Sequence, residues 1–116
     1  MTSSRPPLAP DAVLLTDRTA VVTGAAQGIG RATAEALARF GADVAICDRD
    51  APGLAGTVEA IETAGRRVHA GELDVRDRTA VDAFVEGAAA ELGPIDIVVS
   101  NAGGGFFAPV LDVSPK

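Results

Sequence analysis

Eight consecutive residues carry the clearest chemistry in this chain: Thr23-Gly24-Ala25-Ala26-Gln27-Gly28-Ile29-Gly30. Three glycines fall within seven positions, directly after the apolar run Thr19-Ala20-Val21-Val22-Thr23. Glycine permits a tight turn and leaves no Cβ between the backbone and a ligand. A helix that starts at such a turn offers unpaired N–H groups and roughly half a positive charge, a seat for a diphosphate. A bare strand-to-helix turn is the alternative, and three glycines at one place weigh against it. The spacing G-x-x-x-G-x-G differs from the general dinucleotide pattern G-x-G-x-x-G. It is not a P-loop either, because Arg31-Ala32 follows Gly30 where Lys and Ser or Thr would be needed.

A second group stands in register with the first. Asp48 follows the apolar run Val44-Ala45-Ile46-Cys47, eighteen residues beyond Gly30. A carboxylate at that distance meets the ribose hydroxyls of an adenosine and repels a 2′-phosphate. The expected cofactor is therefore NAD rather than NADP. Arg49, next in the chain, is the one neighbour able to offset that preference, and Gln27 adds no positive charge. An acid that merely ends a strand is the alternative, and the register with the glycines decides against it.

Other reactive side chains make no second centre. Cys47 lies inside an apolar run and reads as a buried, inert thiol. His69, the single histidine, has no catalytic partner in the sequence and reads as structural or surface. One His and one Cys at unrelated positions make no metal site.

The elements that must position the glycines and Asp48 alternate. Thr19–Thr23 reads as a strand buried on both faces. Ile29, Thr33, Ala36, Leu37 and Phe40 form a helical stripe, stopped by Gly41. Residues 44–47 read as a second strand. Leu54, Val58 and Ile61 share a helical face that ends at Gly65. Residues 67–73 read as a third strand. Asp77 caps a helix whose Val81, Phe84, Val85, Ala88 and Leu92 share a face, ending at Gly93. Residues 95–100 form a fourth apolar run. This order predicts an α/β fold: a Rossmann-like, doubly wound parallel sheet with right-handed crossovers. Half of another doubly wound fold would show the same alternation.

Composition bounds the remaining classes. The chain has 116 residues, a formal net charge of −6 and only scattered basic residues, which argues against nucleic acid. No apolar stretch approaches the roughly 20 residues of a membrane span. Residues 1–10 lack the apolar core of a secretory signal, so a cytoplasmic location is expected. Residues 1–13, with Pro6, Pro7 and Pro10, read as a flexible arm, and 14–116 as the folded part.

With these features in place, the chain resembles the short-chain dehydrogenase/reductase family. Thr23 to Gly30 looks like that family's T-G-x-x-x-G-x-G loop. Leu73-Asp74-Val75 resembles its third-strand motif, in which Asp and the next residue flank the adenine. Asn101-Ala102-Gly103 resembles its N-A-G motif, in which Asn supports the sheet beside the cofactor. Ser100 stands where the family more often has Asn. The resemblance runs from about Leu14 to Lys116. It implies that Gly24, Gln27, Gly28, Ile29, Gly30, Asp48, Arg49, Asp74, Val75, Asn101, Ala102 and Gly103 hold a dinucleotide. A small carbonyl or alcohol substrate and a homo-oligomeric full-length parent are implied as well.

The family places catalysis on a Ser and a Tyr-x-x-x-Lys. This chain has no Tyr, and its one Lys is the last residue, so no catalytic residue is assigned. Ser114-Pro115 reads as a helix start followed by a single residue, which suggests truncation at the C-terminus. The expectation is a partial NAD-binding domain, inactive alone, with a truncated gene product or a binding fragment as the alternative. Gly103-Gly104-Gly105 reads as a loop near the nicotinamide end, and Phe106 and Phe107 as substrate-facing or covered residues. The apolar fourth strand, left with a bare edge, is expected to drive self-association.

Overall fold

The computed structural model describes residues 9–102. Four strands alternate with three helices: β1 (Thr19–Thr23), α1 (Gly28–Arg39), β2 (Asp43–Asp48), α2 (Ala51–Thr63), β3 (Val68–Glu72), α3 (Arg78–Leu92) and β4 (Ile97–Val99). The sheet order is β3-β2-β1-β4 and every pairing is parallel. The expected doubly wound arrangement is therefore present. Ahead of the sheet, Pro10–Val13 forms a 3-10 turn with no buried residue. Residues 1–8 and 103–116, including Gly103 to Gly105, Phe106, Phe107, Ser114 and Pro115, lie outside the described residues.

Side chains alternate across a strand, and both faces of β1 and β2 are used. Val22, Val44 and Ile46 pack with Ala34, Ala38, Leu54 and Ile61 from α1 and α2. Val21, Ala45 and Cys47 pack with Phe84, Ala88 and Leu92 from α3. This double burial explains why these strands are continuous apolar runs rather than alternating ones.

The structure keeps Leu37 of the stripe expected for α1 against the core but corrects its ends. Gly30, Ala34 and Ala38 are the buried positions, whereas Ile29 is 78% and Phe40 48% exposed. The reason is steric. The smallest side chains let the helix approach the sheet and the glycine turn closely, and a row of bulky ones would hold it off. On α3 the expected face holds at Phe84, Ala88 and Leu92, while Val85 turns partly to solvent. Asp77 caps α3 as expected, accepting from the Ala80 amide at 3.1 Å. Asp50 does the same for α2, accepting from Gly53 N at 3.0 Å.

The two ends of the sheet differ. At the amino ends of the strands, polar groups clasp one another. The Thr19 amide donates to Asp96 Oδ2 at 3.0 Å, and the Arg67 guanidinium donates to Asp43 Oδ2 at 2.8 Å. Burial would raise the Asp43 pKa, but hydrogen bonds from Arg67 and the charges of Arg67 and Arg66 hold it below the ordinary value. At the carboxyl ends the strands open into a cleft.

Candidate functional site

The cleft, of about 600 Å³, is lined by Gly24, Gln27, Gly28, Ile29, Asp48, Arg49, Leu73, Asp74, Val75, Arg76, Asn101 and Ala102. It lies where chain segments leave β1, β2, β3 and β4, the place where open α/β sheets bind ligands. The structure thus brings together ten of the residues singled out from the sequence. Gly30 is buried behind the turn rather than lining the cleft, and Gly103 lies outside the described residues.

The turn that follows β1 is shaped by its glycines. Gly24 and Gly28 adopt positive φ values of 66° and 62°, a region costly for other residues. A Cβ on Gly28 would meet nothing within 4 Å, so that position faces open space. A Cβ on Gly30 would sit 2.0 Å from the Gly24 carbonyl oxygen. Gly30 is therefore the contact that lets α1 close against its own entry turn. The first bond of α1 runs from Arg31 N to Gln27 O at 3.4 Å. That leaves the amides of Gly28, Ile29 and Gly30 without intrahelical partners. Gln27 at the cap position provides no side-chain hydrogen bond to them. These groups suit an anion.

Neighbouring elements wire the turn in place. Asp48 Oδ2 accepts from the Ala26 amide at 3.0 Å, and its Oδ1 accepts from the Asp50 amide at 3.0 Å. The Ala25 amide donates to Cys47 O at 3.2 Å. Asn101 Nδ2 donates to Gly24 O at 3.2 Å. The Asn101 and Ala102 amides both donate to Thr23 Oγ1, at 2.9 and 3.0 Å, which stitches the end of β4 to the end of β1.

The far wall carries paired charges. Arg76 grips both carboxylate oxygens of Asp74, the shortest contact being Nη2 to Oδ2 at 2.8 Å. The Arg76 side chain, then its backbone amide, then the nearby charges of Arg76 and Arg49 bring the Asp74 pKa down to about 2. With Asp48 and Arg49 across the cleft, two acids face two guanidinium groups.

Three residues were not singled out for the site from the sequence. Leu73 and Arg76 line the cleft, and Thr57 supports it from below. The Asp74-x-Arg76 spacing within a turn is the signal that marks Arg76, since it allows a local ion pair. Thr57 falls on the helical face already traced by Leu54 and Ile61, and a polar residue there asks for a buried partner.

The residues set aside in the sequence stay apart. Burial first, and then the Asp48 charge, push the Cys47 thiol up to about 11, consistent with an unreactive group. His69 Nδ1 lies 2.7 Å from Glu91 Oε2, and its ring rests on Phe84 with centroids 5.5 Å apart. Among the described residues no group of His, Cys, Asp and Glu could hold a metal. None of the described helices is long and apolar enough to cross a membrane.

Comparison with known proteins agrees with this geometry. Residues 18–116 match the family model described as short chain dehydrogenase. Gluconate 5-dehydrogenase of Gluconobacter oxydans is 39% identical over 110 residues, covering 92% of this chain and 42% of that protein. A short chain dehydrogenase from Mycobacterium paratuberculosis, solved bound to NAD, superposes with a TM-score of 0.77 at 35% identity, over 87% of this chain and 42% of that one. Carveol dehydrogenase from Mycobacterium avium, in complex with NAD, gives 0.77 at 30% identity, over 87% and 41%. The chain thus spans about two fifths of the length of each of these relatives. A glycine turn at the end of β1, an acid at the end of β2 and this matching sequence lead to one conclusion: the chain belongs to the short-chain dehydrogenase family.

Proposed function

We propose that this chain is the dinucleotide-holding part of an NAD-dependent oxidoreductase. The observation that carries the reading is the Asp48 carboxylate fixed beside the glycine turn, in the same cleft as Gly28. The residues fit the group. Gly24, Gln27, Gly28, Ile29 and Gly30 offer backbone amides to a diphosphate. Asp48, with Arg49 beside it, receives the adenosine ribose, and its negative charge disfavours a 2′-phosphate, so NAD is preferred over NADP. Asp74 and Val75 flank the adenine. Asn101 and Ala102 continue toward the nicotinamide, and the family resemblance assigns Gly103 to the same role. A nicotinamide held there would supply hydride transfer to or from a carbonyl or alcohol carbon of a small substrate. This chain's own residues bind, orient and hold the dinucleotide.

The absence of any Tyr supports a companion reading: on its own the chain binds dinucleotide without turning over substrate. Calorimetric titration tests both. Saturable NAD binding, weaker NADP binding and no alcohol-dependent NADH formation are expected. No heat of binding with millimolar NAD would sink the reading.

A further inference from the structure

The hydroxyl of Thr57 plays no part in the binding contacts described above, yet it is one of the most completely enclosed polar groups in the structure. Thr57 lies in α2 on the face of Leu54 and Ile61 and is 0% exposed. A threonine inside a helix ordinarily bonds back to the carbonyl four residues earlier. Here that contact, to Gly53 O, is long at 3.5 Å. The short contact, 2.7 Å, is to Ala25 O in the glycine turn, thirty-two residues away in sequence.

Ala25 O belongs to the same peptide unit as the Ala26 N–H. A trans peptide points its C=O and its N–H in opposite directions. The carbonyl end is held by Thr57 and the amide end by Asp48 Oδ2 at 3.0 Å. One peptide plane is therefore gripped at both ends, from α2 on one side and from the end of β2 on the other. If it rotated, a carbonyl oxygen would face the Asp48 carboxylate, and the Thr57 hydroxyl would lose its short bond to Ala25 O. The acceptor clash at the Asp48 end and the buried hydroxyl at the other end both favour the observed orientation of the plane.

We propose that the Thr57 hydroxyl is a positioning group that holds the diphosphate turn and the Asp48 carboxylate in mutual register through the Ala25–Ala26 peptide. It touches no ligand. It orients the two halves of the dinucleotide seat relative to each other, so their binding strengths are coupled. This inference rests on the dinucleotide reading above.

The test compares the 116-residue chain with Thr57→Val, which keeps the shape and loses the hydroxyl, and Thr57→Ser, which keeps the hydroxyl. NAD affinity is measured by calorimetry, and the Ala26 amide is followed by its proton and nitrogen chemical shifts. Thr57→Val is expected to weaken NAD by about tenfold, with Thr57→Ser within about twofold of the parent. The Ala26 amide signal should move in Thr57→Val and return in Thr57→Ser, while the amides of α3 stay in place. Should Thr57→Val fail to fold, Thr57→Ala replaces it, since it removes the hydroxyl without crowding. Unchanged NAD affinity in a folded hydroxyl-less variant overturns the proposal. No NAD binding by the parent chain overturns the dinucleotide reading instead. In that case an Ala26 signal unmoved in Thr57→Val shows that the hydroxyl does not hold the peptide either.

Discussion

Asp48 Oδ2 accepts a hydrogen bond from the Ala26 amide at 3.0 Å, so the acid that ends β2 is physically joined to the turn after β1. The two residues meet because β1 and β2 are parallel neighbours whose carboxyl ends coincide, Thr23 pairing with Cys47. A side chain read from sequence as a sugar ligand is also a fastener for the phosphate loop.

That dual role predicts the outcome of Asp48→Asn. The substitution keeps the size but removes the charge and places an amide group near the Ala26 N–H. NAD affinity should fall about tenfold or more, because a charge-assisted bond is lost at the loop as well as at the ribose. NADP affinity should fall less, so the ratio between the two cofactors narrows. Parallel titrations with both dinucleotides measure it, and an unchanged ratio would contradict the assigned role.

Gly28 and Gly30 should separate binding from stability. Gly30→Ala drives a Cβ to 2.0 Å from Gly24 O and should cost about 1–3 kcal/mol of unfolding free energy through overpacking. Gly28→Ala meets no atom within 4 Å, and its penalty is the positive φ, about 1–2 kcal/mol. Its methyl would stand in the space open to ligand, so NAD binding should suffer more than the melt. Urea unfolding and NAD titration of both variants check the split.

The Asp74–Arg76 pair sets an acid-range expectation. The Asp74 carboxyl has a folded pKa of about 2 against an ordinary 3.8. A lowered acid pKa stabilises the fold above the unfolded value, and that contribution fades as pH falls from about 3.8 toward about 2. Arg76 is exposed and Asp74 only partly covered, so solvent screening keeps the effect on stability small. Carbon-detected titration of the Asp74 carboxyl should show the low midpoint. Arg76→Ala removes the largest cause and should return it toward 3.8.

The β4 edge should govern association of the chain. β4 pairs only with β1 among the described residues, and Val98 is 69% exposed. Beside it an apolar hollow of about 480 Å³ runs between Val21, Phe84, Val85, Ile95 and Val98. An open apolar edge invites pairing with a second copy. Sedimentation of the chain should show concentration-dependent oligomers, and Val98→Lys should shift the distribution toward monomer. A parent chain that stays monomeric at high concentration would count against this.

Much of this arrangement was legible in the sequence. The strand Thr19–Thr23 and the Asp77 cap come out as read, because double-sided burial and capping leave local marks. Ten of the cleft residues were legible because they stand at or just beyond the carboxyl ends of strands, while Leu73 and Arg76 were not singled out. The packing face of α1 was not. Bulky residues suggested one stripe, while contact with the sheet selected Gly30, Ala34 and Ala38, a choice that depends on how near the helix must come. The Thr57 bond to Ala25 joins residues far apart in sequence, and no local pattern announces it.

Sheet order also gives the cleft unequal parts. Its floor rises from β1 and β2, each flanked by strands on both sides, whereas Leu73 to Val75 and Asn101 to Ala102 extend from β3 and β4, the outer strands among the described residues. Outer strands open more readily than inner ones in native-state fluctuations. The walls should therefore breathe around a floor that stays shut, admitting a long guest sideways. Once seated, that guest would act as a brace across the sheet, slowing amide exchange most at the rim strands it spans.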